Sequence, residues 1–501
     1  MKLSWKWFAF LADHHQVDSL CVRNRHEKQL ERKKRREITL ERFRHATKVE
    51  SERWTVINNS VYDLGRLPEH PGGDFLDDFV SVDCTLYFYS THLKAANVWA
   101  QLRTCWVGYL MDTKENTLTH PADRALMRYI DQLGAAGKLT YPVRDIVWQV
   151  GVCLGLFVAQ FVLAMRAFGP VQEGQCPHWG TVHVGVLGLS VVCGTLGYML
   201  AGYFLHDCGH QAVFATKRAN REATWWGGLL MGVDAIASLE AHDRHHSFPN
   251  IPTRDETLDT GIFKWHPVQG GKLPRGYSSW APLVWHCLVL WLYAPVELKR
   301  VYVGGIQRKD YHFVGCITLR YALIFLLPMH LGYTWHVGFS HMFGFVLSGY
   351  IVGLTSTLNH LAEEKESVSY FAEQTQEHGR CFVKHQSSRT CSLTGPALKA
   401  GMVPPYNLDT IRHFWFFDVR LFLHRVVSWL VGHFNYHVEH HMMPYLPRQN
   451  LRGVSGRVQQ ICQMVATTEE EEEEVYTGRG YLESFWRVFC AVGNPYAVVA
   501  G

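Results

Sequence analysis

A chain of 501 residues has room for two or three domains, and its composition is 47% apolar and only 19% charged, against roughly 25% charged in a typical soluble domain. Seventeen Trp and 22 Tyr suit a chain with much surface at a membrane boundary, where amphipathic rings settle. The net charge of +4 says little, because the charge is clumped; no nucleic-acid partner is expected, and thirteen Cys without a CxxC pair read as reduced thiols rather than a disulfide framework.

Met1 to Leu11 is short and aromatic-rich, and the charged run Arg23 to Arg44 follows it. A secretory signal has the opposite order, basic residues first and the apolar stretch second. Residues 1–48 are therefore expected to be a basic leader, solvated and helical or disordered; attraction to anionic headgroups is the alternative.

From Trp54 the pattern alternates as a strand, turns at Asn58–Asn59 and resumes as a second strand to Leu64. Leu67-Pro68-Glu69-His70-Pro71-Gly72-Gly73 follows, and 22 residues after His70 comes His92 in Phe88-Tyr89-Ser90-Thr91-His92. This stretch resembles the cytochrome b5 domain, with its W…ING.VYD…HPGG opening and later helical histidine. The match runs from Glu52 to Gly108, within a small α+β module expected over 49–110. The resemblance implies that His70 and His92 are the axial ligands of a haem b. Two imidazoles from opposite walls leave no open coordination position, which suits electron transfer. The sequence departs from the family where AGxDAT reads Val80-Ser81-Val82-Asp83-Cys84-Thr85, and the spacing between the histidines is a residue or two short. A small domain in which HPGG is only a turn is the alternative.

Residues 111–143 are polar and charged and read as a linker. The expected membrane domain, 144–460, opens with Ile146 to Met165, uncharged and long enough to cross a hydrocarbon core of about 30 Å. A second span, Thr181 to Leu205, stops at His206. Basic flanks at Lys138–Arg144 and Lys217–Arg221 place both outer ends on the cytosolic side. The Trp225–Ile236 segment is too short to cross, and Trp280 to Val296, interrupted by Pro282 and His286, is read as interfacial. Tyr311 to His330 and His336 to Thr355 form a second hairpin, with Arg320 at mid-span. Residues 361–400 read as a polar cytosolic loop, Phe414 to Phe434 as amphipathic and interfacial, and 461–501 as a tail whose run Glu469–Glu474 is a solvated link. The fold class is thus an α-helical integral membrane protein: four transmembrane helices in two hairpins, a cytosolic histidine-rich cap, and the small haem module.

Beside these spans lie three histidine clusters: His206 and His210; His242, His245 and His246; His437, His440 and His441. On a helix the spacing i, i+3, i+4 puts such rings on one face. Imidazoles are costly to bury without partners, and a metal supplies those partners. A single zinc takes three or four protein ligands, fewer than the eight clustered here, and imidazole suits iron. The spans lack the paired carboxylates of soluble di-iron bundles. Asp207, Asp243 and Glu439 are candidates for orienting the rings from behind.

HxxxH, HxxHH and HxxHH, in this order around two hairpins, resemble the membrane fatty acid desaturase family over residues 140–455. With the haem module the resemblance is to the front-end type, and Asn435 to Leu451 is similar to the family's NYQIEHHLFPxxPRxNL, with His437 where front-end members usually have Gln. Asn359-His360 resembles the family's additional ligand. The resemblance implies that His206, His210, His242, His245, His246, His360, His437, His440 and His441 hold two Fe ions. It also implies a fatty acyl substrate, as acyl-CoA or acyl-lipid, and oxygen-dependent formation of a double bond. Electrons would come through the fused haem from a nicotinamide-dependent cytochrome b5 reductase, at the endoplasmic reticulum, with the histidine boxes cytosolic. A sphingoid long-chain-base desaturase or lipid hydroxylase on the same scaffold is the alternative, and a membrane haem protein that only carries electrons is the non-enzyme alternative.

Overall fold

The structure, a computed structural model, describes residues 36–67, 70, 73–111, 118–170, 182–251, 254–255, 259–260, 263–264, 299, 301–307, 309–361, 381–393, 426–465 and 478–479. Four strands, β1 (Glu37–Thr39), β2 (Trp54–Ile57), β3 (Ser60–Asp63) and β4 (Trp106–Met111), form one sheet in the order β1-β4-β3-β2. β2 and β3 make the expected hairpin, and both turn residues, Asn58 and Asn59, have positive φ (51 and 58°). Asparagine tolerates that conformation, and two left-handed central residues match the twist of the flanking strands. The turn is tied to α2 (Thr85–His92): the Asn58 N–H donates to Thr85 Oγ1 at 2.9 Å, and Tyr89 OH to Asn58 Oδ1 at 2.5 Å. Asp83 accepts from the Thr85 N–H at 2.9 Å, so the segment that departs from the b5 pattern still starts the helix ending on His92.

Two segments fold where the sequence reading placed a leader and a linker. β1 and α1 (Leu40–Lys48) belong to the sheet unit: β1 pairs in parallel with β4, and Leu40, Phe43 and Ala46 are buried with Trp54, Val56 and Val61. The dense positive charge of this run hides its apolar face. α3 (Ala96–Cys105) leads into β4, and beyond it α4 (Pro121–Ala135) fills the expected linker. Leu126, Ile130 and Leu133 on α4 recur every three or four residues and are buried, the stripe of an amphipathic helix.

Among the described residues, α5 (Val143–Phe168), α6 (Val184–Gly209), α9 (Tyr311–His330) and α10 (His336–Leu361) are long and apolar enough to cross a membrane. These correspond to the spans expected near 146–165, 181–205, 311–330 and 336–355, with α6 and α10 running on through His206 and His360. Val147, Val150, Leu154, Val158 and Val162 form one exposed apolar stripe on α5, and Leu319, Leu323 and Leu326 another on α9. Such stripes suit hydrocarbon rather than water. Inside the bundle the packing is close. A Cβ on Gly194 would overlap the Gln160 amide, and Gln160, buried, donates to the Ser340 carbonyl at 3.3 Å.

Arg320 is accommodated at mid-span by α7 (Lys217–Met231) and α6. Its Nε donates to the Leu230 carbonyl at 2.9 Å, in the last turn of α7, and its Nη2 to Tyr198 OH at 2.6 Å. A cation at a helix C-terminus also meets the negative end of the helix dipole. α8 (Ala235–Ser247) follows, then the short hairpin of β5 (Asp259–Thr260) and β6 (Phe263–Lys264).

α11 (Phe382–Ser387), β7 (Ser392–Leu393), α12 (His437–Met442) and α13 (Arg448–Gln463) complete the cap, and β7 pairs in parallel with β8 (Gly478–Arg479). Residues 381–393, expected within a polar loop, are largely buried because their polar groups bond inward. Gln386 Nε2 donates to the His246 carbonyl at 2.8 Å, and Thr390 Oγ1 to the Gln386 carbonyl at 2.8 Å. Trp280–Val296, residues 414–425 and Glu469–Glu474 lie outside the described residues.

Asp123 fastens α4 to α11: its carboxylate accepts the backbone N–H groups of Phe382 and Val383, both at 2.9 Å. Burial raises this carboxyl to about 7, although those N–H groups pull the other way. Between the ordinary carboxyl range and about 7 the folded chain keeps a proton that the unfolded chain has released. Stability from this group is therefore lost as pH rises through that window. Thermal midpoints in detergent should fall more steeply from pH 4 to 7.5 in the wild type than in Asp123→Asn; parallel slopes would refute the assignment.

Candidate metal centre

The histidine boxes sit on helix ends. His206 lies in the last turn of α6 and His210 caps it, with ring centroids 4.6 Å apart as expected for i and i+4. α8 carries His242, His245 and His246, the last turn of α10 carries His360, and α12 carries His437, His440 and His441.

Among the described residues these rings form two groups. His206, His210, His242, His246 and His440 offer nitrogens all within 4.8 Å of one another, and so do His245, His360 and His441. His437 joins the second group, its Nε2 standing 2.7 Å from His360 Nε2. Nε2–Nε2 distances are 2.8 Å for His206 and His242, 3.2 Å for His242 and His246, and 3.1 Å for His245 and His360. Two ligands at a right angle, each ~2.1 Å from an ion, stand ~3 Å apart. The nitrogens are therefore spaced as neighbours on a shared ion.

The Nε2 atoms of His210, His440 and His441 are buried with no hydrogen-bond partner among the described residues. A buried polar atom without a partner is costly, and a metal in each group removes that cost. Burial holds the imidazoles of His210, His242, His246, His437, His440 and His441 well below their ordinary range, and neighbouring histidines push the same way. The rings are thus neutral at pH 7, the form that ligates. Nine imidazole donors fit two iron ions.

The supporting shell differs in part from the sequence expectation. Asp207 Oδ1 lies 3.5 Å from His206 Nδ1, and its other oxygen accepts from Tyr141 OH and from Arg448 Nη1, the latter at 3.0 Å. Asp243 is half exposed and 3.8 Å from His210 Nδ1, beyond hydrogen-bond reach. Glu439 accepts from Ser392 Oγ at 2.8 Å and so ties α12 to β7. Sequence reasoning missed two groups. Asp255 Oδ2 pairs with His245 Nδ1 at 2.7 Å, and Gln386 Oε1 with His441 Nδ1 at 3.1 Å. Neither stands at a helical spacing from its ring, so no local pattern marks them.

In the sheet unit the His70 and His92 rings are 6.1 Å apart, centroid to centroid, and perpendicular within 5° (85°). Two metal–nitrogen bonds plus two ring radii come to ~6 Å, so one iron fits between them despite the short spacing in sequence. Burial pushes His92 down to about 3 and lowers His70, which keeps both rings neutral. Phe88 flanks His92 at 5.2 Å and Trp99 backs Phe88 at 4.8 Å, an apolar wall.

This unit docks on the cap. Phe75 and Phe79 pack on Phe248 at 5.4 and 5.7 Å, Arg254 pairs with Asp78 at 3.1 Å, and Tyr87 meets Phe382 edge-on at 4.9 Å.

Comparison with known proteins agrees with both halves. Residues 181–470 match the family described as "Fatty acid desaturase", and residues 39–111 match the "Cytochrome b5-like Heme/Steroid binding domain", which binds haem. The chain is 23% identical over 443 residues to an acyl-lipid (9-3)-desaturase of Physcomitrium patens, covering 82% of this chain and 71% of that protein. It is 25% identical over 431 residues to fatty acid desaturase 3 of Bos taurus, covering 82% and 84%. To an acyl-lipid (8-3)-desaturase of Rebecca salina it is 21% identical over 458 residues, covering 88% and 90%. Because the first match takes in more than half of the chain, the protein belongs to the fatty acid desaturase family, as a membrane oxidoreductase with a cytochrome b5-like haem domain fused ahead of its catalytic part.

Proposed function

We propose that the protein is a front-end desaturase acting on an acyl chain carried in a membrane lipid. Two irons would be held by His206, His210, His242, His246 and His440 in one group and by His245, His360, His437 and His441 in the other. A haem held by His70 and His92 would deliver the electrons. The observation that carries this reading is the convergence of imidazoles from four separated segments, beside a docked haem unit.

Iron bound there supplies the oxygen chemistry that removes two hydrogens from adjacent methylenes; with two electrons and two protons, oxygen leaves as two waters. The chain's own residues prepare that chemistry. Asp255 and Gln386 hold the Nδ1 sides of His245 and His441 and so would leave their Nε2 atoms free to ligate. Phe434 covers His206 and His440 at 4.5 and 5.3 Å, and with Tyr203, 5.3 Å away, makes an apolar wall against water. Beside Tyr203 lies a cavity of about 290 Å³, lined also by Trp148, Val152, Leu200, Trp429 and Arg448. Trp148 and Trp429 are exposed, as interfacial rings are, which supports this cavity as the approach of a lipid-borne acyl chain. The names of two relatives, both acyl-lipid desaturases, support the same carrier.

The basic flanks Lys138–Arg144 and Lys217–Arg221 support a cytosolic position for both metal groups in the endoplasmic reticulum membrane. There a nicotinamide-dependent cytochrome b5 reductase re-reduces the haem.

Expression in yeast fed candidate fatty acids should give a new olefin by mass spectrometry, appearing in the phospholipid acyl pool before the acyl-CoA pool. An added hydroxyl instead would point to a hydroxylase. His440→Ala or His210→Ala should abolish product while the haem absorbance stays, whereas His70→Ala should lose the haem spectrum; a preserved haem band in the latter removes His70 as ligand. Asp255→Asn should lower iron retention against a chelator about 10–100-fold, measured as iron per haem, and unchanged retention would remove its orienting role.

A further inference from the structure

The residue after His210 stands out. Gln211 has φ 59°, a left-handed conformation that costs a non-glycine residue and persists only where the surroundings hold it. The residue is only 8% exposed, and its Oε1 is buried with no hydrogen-bond partner among the described residues. Among the described residues its side chain makes one hydrogen bond: Nε2 donates to the Thr91 carbonyl at 2.7 Å. That carbonyl is the acyl half of the peptide bond to His92. The partner being an acceptor, the amide nitrogen must face it.

We propose that Gln211 is the bridge by which electrons pass from the haem to the metal centre, a positioning residue that joins the two units electronically. This inference rests on the function proposed above. From the His92 ring the route runs through its own backbone to the Thr91 carbonyl, crosses one hydrogen bond to Gln211, and continues through one peptide bond to His210. No through-space jump is needed. The aromatic contacts of Phe75 and Phe79 with Phe248 and the Arg254–Asp78 ion pair hold the two faces in register around that bond. Each passage takes one electron from a ferrous haem, leaving it ferric, and reduces one ferric ion of the pair to ferrous. Two passages serve one turnover, and the nicotinamide-dependent reductase restores the haem.

The test uses the full chain, loaded with haem and iron, in Gln211→Met and Gln211→Leu forms, neither of which can donate to the Thr91 carbonyl. Pre-reduced protein is mixed with oxygen and acyl substrate in a stopped-flow cell, and reoxidation of the haem band is followed. Both variants should reoxidise about tenfold more slowly or worse, as misplacement of reacting groups commonly costs. The haem midpoint potential, the iron content per haem and the product formed in one turnover after full reduction by dithionite should match the wild type. Wild-type reoxidation rates in both variants would overturn the proposal. So would equal losses in reoxidation and in the dithionite-primed turnover, because Gln211 would then only support the metal site. Should Gln211→Met fail to load iron, Gln211→Leu decides. A wild type whose haem reoxidises with substrate yet yields no olefin would count against the desaturase reading and leave the bridge standing.

Discussion

Buried imidazole nitrogens need partners, and nine of them in one place put that need at the centre of this fold. Hydrogen bonds among themselves cannot satisfy all of them, since a neutral ring offers one donor and one acceptor and several Nε2 atoms face one another. Two cations answer the problem at once. The rest of the cap follows from it: helix ends are brought together so that short i, i+3, i+4 runs present their rings inward, and buried side chains such as Asp255 and Gln386 hold the outer nitrogens.

The membrane bundle serves as the frame for that cap. α6 and α10 each bring a histidine of the cluster from their last turn, and both pack along α5. Their contacts rely on small residues and on polar side chains paired inside the bundle, because lipid offers no hydrophobic drive for helix association. Arg320 illustrates the rule. A guanidinium at mid-span persists because a helix C-terminal carbonyl and the Tyr198 hydroxyl take up its donors.

The haem unit is more than a tethered neighbour. Tethering alone raises effective concentration to roughly mM, which gives encounters but no fixed geometry. Here aromatic packing, an ion pair and the Gln211 hydrogen bond hold His92 and His210 in a set relation, and Asp123 clamps α4 onto α11. An electron donor held this way is pre-organised for its acceptor.

Much of this was legible in the amino-acid order. The Asn58–Asn59 turn, the apolar runs of α5, α6, α9 and α10, and the histidine boxes all carry signals with a period of one element. Local chemistry sets such features, so local reading finds them. α1 and α4 carried the same kind of signal, but dense charge masked their apolar stripes. Only the tertiary structure decided how the imidazoles divide between two groups, that Asp255 and Gln386 stand behind them, and that Gln211 reaches Thr91. Those pairings join residues from 10 to 120 positions apart, and no periodicity links residues whose meeting depends on how whole helices pack.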